Sequence, residues 1–420
     1  MAEYQHIVSY NNFSGSIVFP PKISSFVITH FAAAVRQWQR RRPNEPLTLD
    51  FTKVKKAYPN GMVPIIAVAT DLRLRGHTLT IRLPFENGVR RLFLNSNWAH
   101  FLSPFEFRQS ESIHDRHMVT KQFSEFGQLP QIVNDFMDVV LRNMVIPKDV
   151  LSGLEWSMNE LCDNVINHSE SKIGGFAEAV TFTKERVISF TVADCGRGIL
   201  NSLREALPTL QTSQQAIGEA LKAGVTRNVQ AGQGNGLAGS LRITTMTGGS
   251  LDITSGAGRI YTTFNSTNQN EGNQSQFYFG TSVSGNIRTD KKFSISEALN
   301  FGGDSYTPLN IIDLKYEIED EDCMLMMMAQ ETTGVGTRKS GKQLRTKIIN
   351  LIQSRPGFPI KVDWSGIPVI SSSFGDEFMG KLFLELGPIS FSNLIRNRNM
   401  EPLVKQLLDK AISQRLTQEN

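Results

Sequence analysis

The stretch Asn159–Ser169, "NELCDNVINHS", decides the fold because it places polar side chains at four-residue intervals in a mostly apolar segment. Glu160, Asn164 and His168 fall on one face if this segment is helical, since residues four apart are neighbours on a helix surface. Residues such as Leu161 supply an apolar opposite face. The spacing therefore predicts an amphipathic helix over residues 150–168.

The charge of this helix is unbalanced. No basic residue lies between Lys148 and Lys172, although the polar face carries carboxylates and amides. An ordinary solvent-exposed helix is one interpretation, but such helices usually pair their acids with nearby Lys or Arg. The alternative is that a cation from elsewhere balances the charge.

The bulk composition is that of a soluble globular chain. Its 420 residues include 40% hydrophobic and 20% charged residues, which allow about two to four domains with real cores. A net charge of +4 is too small to indicate nucleic acid or an anionic membrane as a partner. Three scattered cysteines show no metal-ligand spacing, and no signal peptide or spanning segment is evident. These features favour a reduced, cytoplasmic setting.

The strand and helix patterns along the sequence predict an α/β (α+β sandwich) chain of three domains, at 1–107, 108–290 and 291–420. In the first, strand patterns at 47–51 and 79–85 flank a helical pattern that ends at Gly76, which indicates a βαβ unit.

The third region alternates strands and helices in the same way. We expect strands at 309–316 and 389–395 and a solvated acidic loop at 317–323. In the second region, strand patterns at 175–183 and 186–194 precede glycine-rich loops, and a polar insert at 265–276 is expected to be a disordered loop.

Two glycine motifs in the second region suit a nucleotide. Asp194 ends a strand before Gly196 and Gly198; a carboxylate there can accept a hydrogen bond from an exocyclic amine, while glycines let the backbone approach a flat ring. Further on, three alternating glycines precede a helix, whose free N–H groups suit phosphate oxygens. A flexible loop is the alternative interpretation of this second motif. These glycines are Gly232, Gly234 and Gly236.

A Glu/Asn helix, a D-x-G-x-G strand end, a polar lid, a G-x-G-x-G helix start and a final hairpin occur in this order. The order resembles the GHKL ATPase family, which includes chaperone and MutL-type clamps, type II topoisomerase ATPases, histidine kinases and anti-sigma-factor serine kinases. The resemblance is closest to the last group. It implies a Bergerat fold that binds ATP with Mg²⁺, and Mg²⁺ would be the cation missing from the helix.

The resemblance also implies residue roles. Asn164 would bind Mg²⁺, and Glu160 would act as general base. Asp194 would bind the adenine amine, with Gly196 and Gly198 shaping the adenine pocket. The phosphate-facing lid hinge would be Gly232, Gly234 and Gly236. A threonine would help to hold adenine; the choice is Thr281, with Thr262 and Thr263 as competing assignments.

The segment 362–382 resembles the STAS fold of anti-sigma-factor antagonists, in which a serine at a strand-to-helix turn is phosphorylated. Ser372 would be the phosphoacceptor here, although Asp376 and Glu377 would repel its phosphate, and a helix-capping role for these serines is the alternative. Region 1–107 is weakly STAS-like, but its turn, starting at Tyr58, carries no serine.

The expected function is a Mg·ATP-dependent regulatory switch or serine/threonine kinase that acts on a STAS-type protein partner or on its own STAS-like domain. The alternatives are an ATP-hydrolysing clamp of the chaperone/MutL type and a non-catalytic ATP-binding scaffold. A homodimer is compatible with each alternative, whereas no membrane or nucleic-acid partner is expected.

Overall fold

A computed structural model describes residues 7–110, 116–222, 224, 235–301, 304–305, 315–318, 321–332 and 334–418. Helices and strands mix throughout these residues, which confirms the predicted α/β class. The chain forms two compact units, Met1–Phe136 with Gly153–Thr307 and Met137–Ser152 with Pro308–Asn420. These units cut the chain differently from the predicted three domains, so that finer division stays a prediction.

The N-terminal part of the first unit contains a four-stranded sheet of order β1-β2-β4-β6. The first pair is antiparallel and the other two pairs are parallel. The predicted strand–helix–strand unit is confirmed as β4-α2-β6. The strands are β1 (Ser9–Asn11), β2 (Ser16–Val18), β3 (Lys22–Ile23), β4 (Leu47–Asp50), β5 (Lys56–Ala57) and β6 (Leu79–Arg82). The helices are α1 (Ile28–Arg41), α2 (Pro59–Leu74), α3 (Asn87–Asn95) and α4 (Trp98–Leu102).

A seven-stranded antiparallel sheet forms the centre of the first unit, in the order β12-β11-β10-β13-β9-β8-β7. Its strands are β7 (His117–Phe123), β8 (Gly175–Phe182), β9 (Val187–Asp194), β10 (Ser250–Gly256), β11 (Gly258–Thr263), β12 (Thr267–Glu271) and β13 (Tyr278–Arg288). The helices of this segment are α5 (Leu129–Asn143), α6 (Lys148–His168), α7 (Gly198–Leu203), α8 (Ser213–Ala220), α9 (Gly236–Met246) and α10 (Ile295–Ala298). A two-stranded ribbon follows, β14 (Asn300–Phe301) and β15 (Asp304–Ser305).

Helices cover both faces of this sheet. Helix α2 is apolar around its circumference and can therefore be buried on two sides. It contacts β8, β9 and β13, and it also belongs to the core of its own region. On the other face, Phe136 of α5 contacts Phe190, and α9 packs on β10 and β13. Asp194 lies four residues after Phe190 on β9, so its side chain points to the face that carries α5 and α9.

The second unit repeats the strand order of the N-terminal sheet. Its sheet has the order β16-β17-β18-β19, again with one antiparallel pair followed by two parallel pairs. The strands are β16 (Glu317–Ile318), β17 (Glu321–Met327), β18 (Ile360–Asp363) and β19 (Ile395–Arg398). The helices are α11 (Met328–Glu331), α12 (Arg338–Ser354), α13 (Ser372–Gly375), α14 (Lys381–Leu386), α15 (Pro388–Leu394) and α16 (Pro402–Gln418), with a π-helical turn at Asp376–Gly380.

Three local predictions are wrong. Residues 267–271 of the polar insert form edge strand β12, which is fully exposed and pairs with β11. Residues 317–318 and 321–323 of the acidic segment belong to strands β16 and β17 at a sheet edge, where Glu317 and Asp322 are exposed. Residues 389–395 are mostly helix α15, because Pro388 starts a helix directly after Gly387, whose φ is +74°.

Other predictions have mixed outcomes. The helix expected at 150–168 is confirmed as α6. The strand expected at 309–316 lies almost entirely outside the described residues. Among the residues that the structure describes, no helix has both the length and the apolar character needed to cross a membrane.

Candidate nucleotide-binding site

Helices α6 and α9 lie side by side and bring the Glu/Asn face of one to the start of the other. A Cβ atom added to Gly239 would lie 2.2 Å from the Trp156 ring, and one added to Gly236 would lie 2.5 Å from Glu160 Oε2 and 3.4 Å from Asn164 Nδ2. The start of α9 thus lies against Glu160 and Asn164, and a side chain at Gly236 would have to displace the Glu160 carboxylate.

The start of α9 has no side-chain cap among the residues that the structure describes. Its N-cap residue, Asn235, instead uses Oδ1 to accept a hydrogen bond from Gly224 N at 2.9 Å. The first intrahelical bond runs from Gly239 N to Asn235 O. The N–H groups of the first turn therefore have no partner within the helix, and the helix dipole makes this end attractive to an anion.

Glu160 sits in a setting suited to proton transfer. Burial, with a further contribution from the nearby Asp163 carboxylate, raises the pKa of Glu160 to about 7. Asp163 itself accepts a hydrogen bond from Asn167 Nδ2 at 2.7 Å. A carboxyl with a pKa near neutrality is half ionised at physiological pH, which is the condition that favours general acid–base catalysis.

A second group of residues surrounds Asp194, which is buried at the end of β9. The backbone N–H groups of Gly196, at 2.8 Å, and Thr281 donate to its carboxylate. Tyr278 donates its hydroxyl to the Asp194 carbonyl at 2.7 Å. Burial raises the pKa of Asp194 to about 7 even though the two backbone donors oppose that shift.

Ser255 joins the strand ends around Asp194. Its hydroxyl is 3.0 Å from Gly280 O and 3.0 Å from Thr281 Oγ1, and it accepts a hydrogen bond from Ile199 N at 2.9 Å. Gly198 lies beside it at the start of α7. Gly280 has a φ of +107°, and a Cβ there would lie 2.2 Å from Asp194 O, so only glycine permits this approach.

The three threonine assignments lie at different places. Thr281 pairs with Ser255 at the Asp194 end of the sheet. Thr262 and Thr263 pair with Leu251 and Ser250 at the other end of β10. The structure thus brings Thr281 to Asp194, and it places the competing threonines elsewhere.

The C-terminal end of α6 connects the two groups. Arg197 N donates to Ser169 O at 2.8 Å, and a Cβ added to Gly196 would lie 2.0 Å from the same oxygen. Ser169 follows directly after α6, and Asn164 lies about one helical turn before that end. Helix α6 therefore contacts the loop after Asp194 while its middle contacts the start of α9.

The donor set fits a magnesium nucleotide. Asn164 Nδ2 is buried and has no hydrogen-bond partner within the described part of the chain, so this nitrogen could donate to a ligand, and the amide oxygen is the atom that would bind Mg²⁺. The described residues hold no group of three or more His, Cys, Asp or Glu side chains that could bind a metal ion. A metal bound at Asn164 would therefore need oxygens of the nucleotide and water, which is how Mg²⁺ is commonly held. Gly232 and Gly234 lie outside the described residues.

Ser372, the predicted phosphoacceptor in the second unit, is exposed at the first position of α13. The capping role belongs to its neighbour, because Ser371 Oγ accepts a hydrogen bond from Phe374 N at 3.0 Å. The acids expected to repel a phosphate are paired. Asp376 forms two hydrogen bonds of 2.7 Å with Arg415. Glu377 pairs with two cations, Arg345 and Lys381.

Two residues of the site were missed at the sequence level. Ser255 and Tyr278 hold the Asp194 region together, yet neither belongs to a recognisable motif. The only signal for Ser255 is its register opposite Thr281, which requires knowledge of which strands pair.

No protein-family model matches the sequence, and no curated protein is significantly similar to it.

Proposed function

We propose that the chain binds Mg·ATP in a GHKL-type site and acts as an ATP-dependent regulatory protein, as a serine/threonine kinase for a STAS-type partner or for its own STAS-like region. The observation that carries this proposal is the double contact of α6. One end of the helix meets the loop after Asp194, and its Glu160–Asn164 face meets the uncapped start of α9.

Each residue has a role that follows from its position. Asp194 accepts a hydrogen bond from the adenine amine, and Thr281 lies beside that end of the base. Asn164 offers an amide oxygen to Mg²⁺, and the first turn of α9 receives phosphate oxygens. Glu160 takes the proton of the attacking hydroxyl. Bound Mg·ATP supplies the phosphoryl group and the charge that screens it.

Incubation of the full chain with γ-³²P-labelled ATP, with and without a STAS-domain protein, tests the proposal. Label on protein supports a kinase. Release of free phosphate without protein label supports the clamp alternative, and binding without either reaction supports a scaffold. Failure of calorimetry to detect binding of Mg·ATP would remove the whole proposal.

Two variants separate binding from chemistry. Asp194→Asn should weaken ATP binding by at least about tenfold, because an amide has one acceptor oxygen where the buried carboxylate has two. Glu160→Gln should retain ATP binding within about threefold and reduce turnover by about 10²-fold or more. Glu45→Gln, a change on an exposed residue that precedes β4 and lies outside the site, is the matched control and should leave both unchanged.

The pH profile tests the base assignment independently. Glu160 must be ionised to accept a proton, so turnover should rise as pH increases through about 7. Asp163→Asn removes the like charge and should shift this rise to lower pH. An unchanged profile in Asp163→Asn would count against Glu160 as the base.

A further inference from the structure

An open groove of about 680 Å³ lies at the end of the central sheet that is opposite to Asp194. It is formed where β9 begins, where α9 turns into β10 and where β13 ends. Val187 and Asp194 mark the two ends of β9, which places them roughly 24 Å apart for an eight-residue strand. The groove is therefore separate from the candidate nucleotide site.

Its polar lining is basic. Arg288, Lys291 and Lys292 line the groove, and none of the lining residues is acidic. Arg288 is neutralised by the adjacent Asp290, to which it donates two hydrogen bonds of 3.0 and 2.7 Å. Lys291 and Lys292 are exposed and form no ion pair with any residue that the structure describes. The groove thus offers two exposed ammonium groups beside a compensated guanidinium, and Lys291 also interacts with the Asp290 carboxylate.

The end of α9 does not cancel this positive charge. The carbonyls of its last turn accept hydrogen bonds from the N–H groups of Thr247, Gly248 and Gly249. Gly248, with a φ of +75°, lies under the aliphatic stems of Arg288 and Lys291. Capped carbonyls contribute little field at the groove, so the lysines dominate its electrostatics.

Four of the remaining lining residues are apolar or aromatic. Val187, Met246 and Tyr261 line the groove, and Phe264 lies at its rim with 72% of its surface exposed. The Asn286 amide also lines the groove, and its Nδ2 donates a hydrogen bond to Ser250 Oγ at 3.0 Å. An exposed phenylalanine beside exposed lysines matches a ligand that carries both carboxylates and apolar side chains.

We propose that this groove binds an acidic peptide segment of a protein partner, one in which Asp or Glu residues alternate with apolar residues. Lys291 and Lys292 pair with the carboxylates, and Phe264 with Met246 receives an apolar side chain. The volume is far larger than a single inorganic anion needs. Nucleic acid is a poorer fit, because two exposed lysines and a net charge of +4 neutralise few phosphates.

Fluorescence anisotropy of the full chain with a short fluorescein-labelled peptide of alternating Glu and Leu tests this proposal. The double variant Lys291→Glu/Lys292→Glu should weaken binding by at least about tenfold, through loss of attraction and added repulsion. The matched control is Lys53→Glu/Lys55→Glu, which makes the same charge change on exposed residues outside the groove. It should change binding by less than about twofold.

A third variant tests the apolar part. Phe264→Ala should weaken binding of the Glu/Leu peptide by about threefold or more, and it should leave a weaker Glu/Ser peptide unaffected. All changed residues are exposed, so circular dichroism should match that of the unmodified chain. Binding of Mg·ATP should be the same in every variant, which keeps this test separate from the proposed function.

Three results would overturn the proposal: no binding of the Glu/Leu peptide, an equal loss in the Lys53/Lys55 control, or tighter binding of a single-stranded oligothymidine that the groove variants abolish. The last result would assign the groove to nucleic acid.

Discussion

The N-terminal sheet of the first unit and the sheet of the second unit have the same strand order but different helices. In each, the third strand of the sheet ends at an Asp, which is followed by an aromatic residue and a hydroxyl residue. These residues are 50–52 in one region and 363–365 in the other. The Asp is paired in register with an Arg at the end of the neighbouring strand, Arg82 or Arg398. In each region the next long helical segment begins nine residues after the Asp, at Pro59 or Ser372.

The helices differ where their surroundings differ. Val63 of α2 is fully buried, and Val68 is nearly so. At the same distances from the preceding Asp, the second unit has Asp376 and Lys381, both of which pair with charged residues at a partly exposed surface. One topology thus accepts either an apolar or a charged helix face, according to what covers it.

The largest expected effect comes from exchanging these residues. Val63→Asp should destabilise the first unit by about 4 kcal/mol or more, because it buries a carboxylate without a partner. Asp376→Val should cost about 1 kcal/mol or less, since it removes one partly exposed ion pair with Arg415. Urea unfolding with peptide-resolved hydrogen exchange measures each unit. Comparable losses in the two variants would break the comparison.

Removing the aromatic residue should affect both regions strongly. Phe51 stacks on Phe19 with ring centroids 4.2 Å apart, and Trp364 donates Nε1–H to Asn397 Oδ1 at 2.9 Å. Both side chains are fully buried, so Phe51→Ala and Trp364→Ala should each cost about 3–5 kcal/mol. The same unfolding measurements apply, with Phe51→Leu and Trp364→Phe as controls that should lose less. If one alanine variant is nearly neutral, segments 50–52 and 363–365 are not structurally equivalent.

The Asp residues should differ in acid. Burial of Asp363 opposes its ionisation, but hydrogen bonds from Ser365, Asn399 and Arg398 outweigh it and lower its pKa to about 2. A depressed folded-state pKa stabilises the protein above the unfolded value near 4, and that stabilisation is lost as pH falls toward 2. Asp363→Asn should therefore cost about 1–2 kcal/mol at pH 7 and progressively less below pH 4.

Asp50→Asn is the matched variant in the first unit. The nearest guanidinium nitrogen of Arg82 is 3.4 Å from Asp50, compared with 2.9 Å between Arg398 and Asp363. The longer pair should make the cost at pH 7 smaller in the first unit. Urea titrations between pH 2 and pH 7 measure both, and a pH-independent cost for Asp363→Asn would contradict the assignment.

The smallest effect concerns the helix start. Ser371 caps α13 through its hydroxyl, whereas Tyr58 makes no side-chain cap for α2. Ser371→Ala should cost about 1 kcal/mol, and Tyr58→Phe, which removes the hydroxyl and keeps the ring, should change stability by less than about 0.5 kcal/mol. Thermal unfolding of the two variants compares them directly, and Ser371→Thr should restore most of the loss. A neutral Ser371→Ala would show that the cap does not stabilise the second unit.

Local patterns predicted much of the fold and part of the site. The helix that carries Glu160 and Asn164, the strand that ends at Asp194 and the βαβ unit around α2 follow from periodicity over a few residues. The errors at 267–271, 317–323 and 389–395 concern short segments in which polar edge strands, loops and short helices have similar sequences. At 267–271 and 317–323 pairing with a neighbouring strand decides the structure, whereas at 389–395 the helix starts at the Gly387–Pro388 junction.

The sequence by itself determined which elements carry the candidate site residues, because the spacing on a helix and the strand-end position are encoded by neighbouring residues. Only the tertiary structure decided that Thr281 rather than Thr262 or Thr263 lies beside Asp194, since that depends on the register between β10 and β13. The raised pKa of Glu160 also comes from tertiary structure, because burial by distant segments, which the local sequence does not specify, is its main cause.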